Sequence, residues 1–485
     1  MRVPGSPDGC MARGSSACCL AHPVGYYTTM RNRWLWAILI TGGLLRAALL
    51  ASAWQTTNAF TPDSWHYLAL SDSVADGGRF ATDSSTEVFR TPGYPLALLV
   101  RHVAAWGGRD DAIAGWQAVA ILQIIADLLL AAMVFALGRQ WFSQRVGLLA
   151  AGLYAISPLA IGSSVRMLSD TLFALLLMVC IYQLARHLRQ ARLAVLRIEG
   201  AAGENWQSLV MAAVAMASGC YIRPIGLTLA GVIVVVLLFC RRGVVRAVLF
   251  AGVIGACVAP WVVRNALSAD YAGFSSFAGE SAYMFSAPRV AAAQEGISVE
   301  QARAEMDRRL SKAIGDSPAP GQKARYRGEA ARDIILKDPG TYMRIHLKGA
   351  AAFWLPGAPE VLETAGLVRP QRGTLEVLHS EGLLAAVWHY FGGSTAAIVL
   401  AAPMVLIHLL EMTGLLLLAA GGLRHAMMTF ARMRAESWIM LLLAAVCALA
   451  AGPAAHPRFR VPVEPMFCIA AAAGWMKLIS RKSSS

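Results

Sequence analysis

Apolar residues fall in ten blocks along the chain, at 34–54, 112–137, 146–165, 170–185, 207–222, 225–240, 247–263, 394–421, 437–453 and 463–479. Their lengths bracket the ~20 residues that a helix needs to cross the hydrocarbon core. The pattern predicts an all-α fold, a polytopic membrane bundle of about ten spans. Arg31 and Arg33 precede the first block and place the N-terminus inside. The loops then alternate. Inside loops carry Arg139 and Arg145; Arg186, Arg189, Arg192 and Arg197; Arg241, Arg242 and Arg246; Arg424, Arg432 and Arg434; the tail carries Lys477, Arg481 and Lys482. That is the positive-inside bias. Outside lie 55–111, 166–169, 223–224, 264–393 and 454–462.

Two of these outer segments are too long to be connectors. In the first, Thr61 and Pro62 are a cap and first-turn pair for a helix over 61–77. Trp65, Leu68, Val74 and Ala75 give it a partial apolar stripe, so it should lie on the membrane surface. Two prolines and a glycine then force a turn in Arg-Thr-Pro-Gly-Tyr-Pro (90–95), and a short apolar helix over 95–106 follows as a re-entrant or interfacial piece. In the second segment, 298–313, 322–337 and 341–355 read as helices, the first with a Ser298/Gln301 capping box. The expected organisation is a tail or misread start over 1–29, a transmembrane core over 30–263, an external helical segment over 264–393, and closing spans over 394–485.

Composition agrees. The chain is 57% hydrophobic and 15% charged, which excludes a disordered chain, a soluble multi-domain enzyme and a nucleic-acid binder. The net charge of +14 is explained by the basic inside loops. Nine cysteines avoid both long outer segments, so no disulfide framework staples the outside, and their spacing fits no zinc site. Arg46, Asp127, His408 and Glu411 fall inside spans. Such residues face the protein interior. Arg46 and Asp127 are placed to pair, and His408 and Glu411 share a helix face. Contacts holding helices together are preferred here over a proton relay.

An Asp after the first span, then Tyr-Leu-Ala (67–69) and Arg-Thr-Pro-Gly-Tyr-Pro, resembles the GT-C superfamily of integral-membrane glycosyltransferases. The resemblance is to bacterial relatives of the dolichyl-phosphate-mannose protein mannosyltransferases. Ser-Val-Arg-Met-Leu-Ser-Asp (164–170), Ile-Arg-Pro (222–224), Pro-Trp-Val-Val-Arg-Asn (260–265) and His-Pro-Arg-Phe-Arg-Val-Pro-Val-Glu-Pro (456–465) follow in order, all on the outer side. The resemblance implies transfer of a sugar from a polyprenyl-phosphate-linked donor to a cell-envelope acceptor (lipid, polysaccharide or protein), at the outer, periplasmic face of a bacterial cytoplasmic membrane.

It also implies roles. Asp63 matches the family's acidic residue in the first outer loop, as base or orienting group, and Asp170 resembles the second acidic residue. Two carboxylates brought together would push one pKa upward. Arg458 and Arg460, with Arg223, Arg264, Arg90 and His456, would bind the donor phosphate, since guanidinium makes bidentate bonds and stays ionised. Tyr67, Tyr94 and Arg166 would line the substrate groove. The sequence demands no metal, though some branches of the superfamily use one. A flippase or transporter, or a non-catalytic subunit on the same fold, is the alternative. A transporter should show inverted repeats with broken helices near the midplane, and no such repeat is evident.

Overall fold

A computed structural model describes residues 24–82, 85–104, 113–195, 204–315, 318–369, 373–426 and 435–482. The first 23 residues, and with them Cys10, Cys18 and Cys19, lie outside the described residues, as do Arg197, Arg432 and Arg434.

Helix forms over all ten apolar blocks. In chain order these are α1 (Val24–Ala53), then, after the surface helix α2 (Pro62–Gly77), α3 (Trp116–Trp141), the pair α4 (Gln144–Ile156) and α5 (Pro158–Val165), and α6 (Asp170–Val195). There follow α7 (Trp206–Ile222), α8 (Ile225–Leu238) and α9 (Gly243–Ala269). Five described helices are long and apolar enough to cross a membrane on that test alone: those over Arg33–Ala53, Trp116–Trp141, Asp170–Leu193, Gly243–Ala269 and Thr395–Ala420.

The block over 146–165 is not one straight span. It bends by 54° between α4 and α5. Pro158 has no N–H to continue the ladder, and the Ser157 hydroxyl caps the new helix at the Ala160 N–H. The expected helix over 95–106 is likewise two short pieces, Gly93–Ala97 and Val100–Ala104. The residue-264 boundary falls inside α9, which continues to Ala269.

The second outer segment holds α10 (Val299–Ile314), α11 (Pro320–Lys337), α12 (Pro339–Ala350) and α13 (Ala358–Thr364). Both bonds of the Ser298/Gln301 capping box form, at 3.1 and 2.9 Å. The helix expected over 341–355 stops at Ala350 and tightens into one 3₁₀ turn, Ala351–Trp354. The chain closes with α14 (Thr395–Ala426), α15 (Ala435–Ala451) and α16 (Glu464–Lys482). The strands described are β1 (Ala81–Thr82) and β2 (Ser85–Thr86), paired antiparallel in the first outer segment.

Two devices hold the spans together. One is small residues at crossings: a Cβ on Gly474 of α16 would stand 2.0 Å from the Gly414 carbonyl oxygen of α14. The other is buried polar contact. Arg46 and Asp127 are both fully buried and bond Nε to Oδ2 at 2.6 Å. The Tyr154 hydroxyl donates to the other Asp127 oxygen at 2.5 Å, which ties α4 to α1 and α3. His408 accepts from Arg460 at Nδ1 (3.3 Å), so its Nε2–H is the donor to the Trp354 carbonyl at 3.0 Å. Glu411 stands 3.8 Å from that Nδ1. His408 therefore serves as a fixed contact between a span and the outer segment.

Candidate active site

The N-terminus of α2 positions Asp63. Thr61 and Ser64 form the capping box, with Pro62 in the first turn. The buried face of α2 is Ser64, Tyr67, Leu68, Leu70 and Ser71. Trp65, expected on the apolar stripe, points outward and is 44% exposed, because the polar Ser64 and Tyr67 take the inward positions for their hydrogen bonds. Ser64 Oγ donates to the Met167 carbonyl at 2.8 Å, and the Met167 N–H donates to the Ala59 carbonyl at 3.0 Å. Met167 thus fastens the 166–169 loop to the start of α2.

Each Asp63 oxygen accepts from a different arginine. Arg90 reaches Oδ1 at 2.7 Å and Arg458 reaches Oδ2 at 2.5 Å. Burial would favour the neutral acid, but the charges of Arg458 and Arg90 outweigh it and hold the Asp63 carboxyl well below the usual range. For Asp63 the shift is therefore opposite to the rise that a second carboxylate would cause, because two cations of its own hold it. Asp170 opens α6, is 1% exposed and pairs with Arg223. Arg458 also feels the Asp170 charge. Three guanidiniums therefore stand against two carboxylates, a local surplus of one positive charge.

Aromatic rings hold these cations in place. The Arg90 guanidinium lies 4.7 Å from the Tyr67 and Phe89 ring centroids and donates to the Tyr67 hydroxyl at 3.1 Å. Phe459 carries Arg458 at 5.3 Å and Arg223 at 5.8 Å. Behind Arg90, Glu87 accepts from the Arg90 N–H at 2.9 Å and bonds His66 Nε2 at 2.8 Å. Burial opposes its ionisation, yet these bonds lower the Glu87 pKa.

The other expected site residues are placed differently. Arg460 is 1% exposed, bonds Glu464 Oε2 at 2.7 Å and donates to the Phe353 and Leu355 carbonyls. It faces away from Asp63 because Pro457–Arg460 is a 3₁₀ turn. With about three residues per turn, i and i+2 point in different directions. Arg264 is committed to the Glu87 and Phe80 carbonyls, both at 2.8 Å, and pins the loop that presents Arg90. Arg166, expected in the substrate groove, is buried and pairs with Glu363. Tyr94 is fully buried, donates to Gln123 Oε1 at 2.9 Å and packs edge-on against Tyr67 at 4.8 Å, so it supports the groove from behind.

His456 caps the 3₁₀ turn by accepting the Arg458 N–H at Nδ1. The same nitrogen lies 3.3 Å from Glu360 Oε1. Glu360, which sequence reasoning missed, is 4% exposed and its oxygens have no hydrogen-bond partner. Burial pushes the Glu360 pKa up to about 7, against the lowering charges of Arg166 and Arg460. Burial and the charges of Arg458 and Arg166 lower that of His456.

Among the described residues, one group of potential metal ligands brings its donor atoms within 4.8 Å, namely Glu411, Glu464 and Cys468. It lies between α14 and α16, where Glu464 already accepts from Arg460 and from Ser157 Oγ at 2.6 Å. The Arg460 charge opposes a divalent ion there.

No protein-family model matches the sequence, and no curated protein matches it. Solved structures do. The oligosaccharyltransferase AglB of Archaeoglobus fulgidus, in complex with an inhibitory peptide and a dolichol-phosphate, is 16% identical with a TM-score of 0.51, over 92% of this chain and 50% of that one. The same enzyme tethered to an acceptor peptide is 17% identical with a TM-score of 0.50, over 92% and 50%. ArnT of Cupriavidus metallidurans, bound to undecaprenyl phosphate, is 15% identical with a TM-score of 0.39, over 91% and 78%. The chain spans about half the length of AglB. Its apolar helices make it a multi-pass membrane protein, and over 92% of its length it shares the fold of about half of the Archaeoglobus fulgidus oligosaccharyltransferase chain.

Proposed function

We propose that the protein transfers a sugar from a polyprenyl-phosphate-linked donor to a cell-envelope acceptor, with inversion at the anomeric carbon. The observation that carries this reading is the ionised Asp63, held by Arg90 and Arg458 with Arg223 nearby, at one boundary of the membrane bundle. A surplus guanidinium beside a carboxylate suits a reaction that needs both a proton acceptor and an anion site. The acceptor hydroxyl attacks the anomeric carbon, the bond from that carbon to the phosphate oxygen breaks, and the lipid phosphate leaves toward Arg458 and Arg90. The hydroxyl proton goes to Asp63.

In the resting site Asp63 is too weak a base for that proton. A lipid phosphate competes for the same guanidiniums. As they turn to it, the Asp63 pKa rises toward its ordinary value, and the base strengthens once the donor is bound. Arg460, Arg264, Arg166 and Tyr94 act as positioning residues. The AglB structure carries a dolichol-phosphate, which supports a lipid-phosphate donor here. Arginines gathered at the opposite boundary support an outward-facing site in a bacterial cytoplasmic membrane.

The test is transfer of radiolabelled sugar from membrane-supplied lipid donors by wild type and Asp63→Asn. A loss of about a hundredfold or more is expected. Full activity in the variant would remove Asp63 from the mechanism.

A further inference from the structure

Asp170 marks the boundary at which the Asp63 site lies. Sixteen residues along α6, roughly 24 Å at ~1.5 Å per residue, the helix reaches Arg186 at the opposite boundary. There a cavity of about 420 Å³ opens between the last turns of α3 and α6. α3 contributes Ala136 and Arg139, three apart on one face; α6 contributes Tyr182, Arg186, Arg189 and Gln190, again on one face.

Three guanidiniums thus line one cavity, and no carboxylate lines it. Among the described residues none of the three has an ion-pair partner; Arg139 rests on the Phe135 ring at 5.7 Å. Elsewhere on this boundary the chain does balance its arginines: Glu204 lies 3.4 Å from Arg242 and 3.3 Å from Arg246. Gln190 Oε1 is buried at the cavity and has no hydrogen-bond partner. The vacant chemistry is therefore an anion together with a hydroxyl donor.

The outer face of α3 points to a lipid as the source. Leu122 and Leu129 are 38% and 54% exposed, and Ala136 follows at the same spacing of seven, so one apolar stripe runs into the cavity rim. An acyl chain laid along that stripe brings its phosphate between the arginines. We propose that this cavity binds the head group of an anionic, hydroxyl-bearing phospholipid, of the phosphatidylglycerol kind, from the leaflet opposite the Asp63 site.

The full-length protein, purified in a neutral detergent, is titrated with phosphatidylglycerol or with phosphatidylcholine of the same chains, and bound lipid is counted by native mass spectrometry. Phosphatidylglycerol is expected to be retained in preference. Arg139→Gln, Arg186→Gln and Arg189→Gln should each weaken its retention about fivefold. Arg145→Gln, at an arginine outside the cavity that is exposed as Arg139, Arg186 and Arg189 are, should leave it unchanged. Equal retention of the two lipids overturns the proposal. So does an equal loss with Arg145→Gln, which would mean diffuse surface charge. Displacement of the lipid by millimolar sodium phosphate would assign the cavity to free phosphate and overturn it as well.

Discussion

Glu360 offers a sharp test of the reasoning, because its burial should make the protein less stable as pH rises. Its ordinary pKa is near 4.5, and in the fold it is pushed up to about 7. Below about pH 4.5 the group is protonated in both folded and unfolded chains and contributes nothing. Between about 4.5 and 7 the unfolded chain gives up the proton while the fold keeps it, so stability falls with pH. Above 7 the loss is complete, at about 1.4 kcal/mol for each pKa unit of separation, hence roughly 3 kcal/mol. The group is 4% exposed, so solvent does little to screen this. Its charged and titratable neighbours are His456, Arg166, Glu363, Arg460 and Tyr390. His456 has a lowered pKa, so it stays neutral across the neutral range. Glu360→Gln removes the titration and keeps the shape. At an unfolding entropy of about 2.1 cal/mol/K per residue, 3 kcal/mol over this chain corresponds to roughly 3 °C. Thermal melts of both proteins in one detergent, from pH 5 to pH 9, should therefore diverge: similar at pH 5, the variant higher by a few degrees at pH 8. Parallel profiles, or a wild type that gains on the variant with rising pH, would refute the assignment.

Arg458 and Arg460 should separate cleanly although they are two residues apart. Arg458→Gln is expected to cost transfer activity with a modest change in melting temperature, whereas Arg460→Gln, which leaves Glu464 buried without its cation, should cost about 3–5 kcal/mol and be seen first in thermal stability. The buried Arg46 and Asp127 pair predicts non-additivity. Arg46→Met or Asp127→Leu alone should destabilise by a similar amount, and the double substitution by clearly less than the sum, measured by the same melts.

Much of the architecture is legible in the chain because its causes are local. Span positions follow from apolar block length, and the caps at Thr61 and Ser298 follow from residue type and spacing. Even the Arg46–Asp127 contact can be read, since ionisable groups inside a bilayer have few acceptable partners. Asp63, Arg90, Arg458, Asp170 and Arg223 can be named from the chain as candidates, but the pairing of Asp170 with Arg223 cannot. Arg460 is misplaced by sequence reasoning because a 3₁₀ turn separates what an extended loop would have kept near one ligand. Glu87, Phe459 and Glu360 are missed for a different reason. Each matters through what it touches, namely the Arg90 backbone, two guanidiniums and His456. An ordinary Glu or Phe carries no mark of such contacts, although the loop-borne Glu87, three residues before Arg90, offered a hint. The 54° bend is announced by Ser157-Pro158, where a capping residue precedes a proline inside an apolar block.

The contact between Asp63 and Arg458 joins residues 395 positions apart. At a synthesis rate of about 5–20 residues per second, roughly 20–80 s pass between the emergence of one and the emergence of the other. By the end of that interval the chain has delivered nearly all of its apolar helices, and the pair still waits for Arg458. A chain truncated before residue 458 therefore lacks one of the two cations that hold Asp63, and only a nearly complete chain can form the contact.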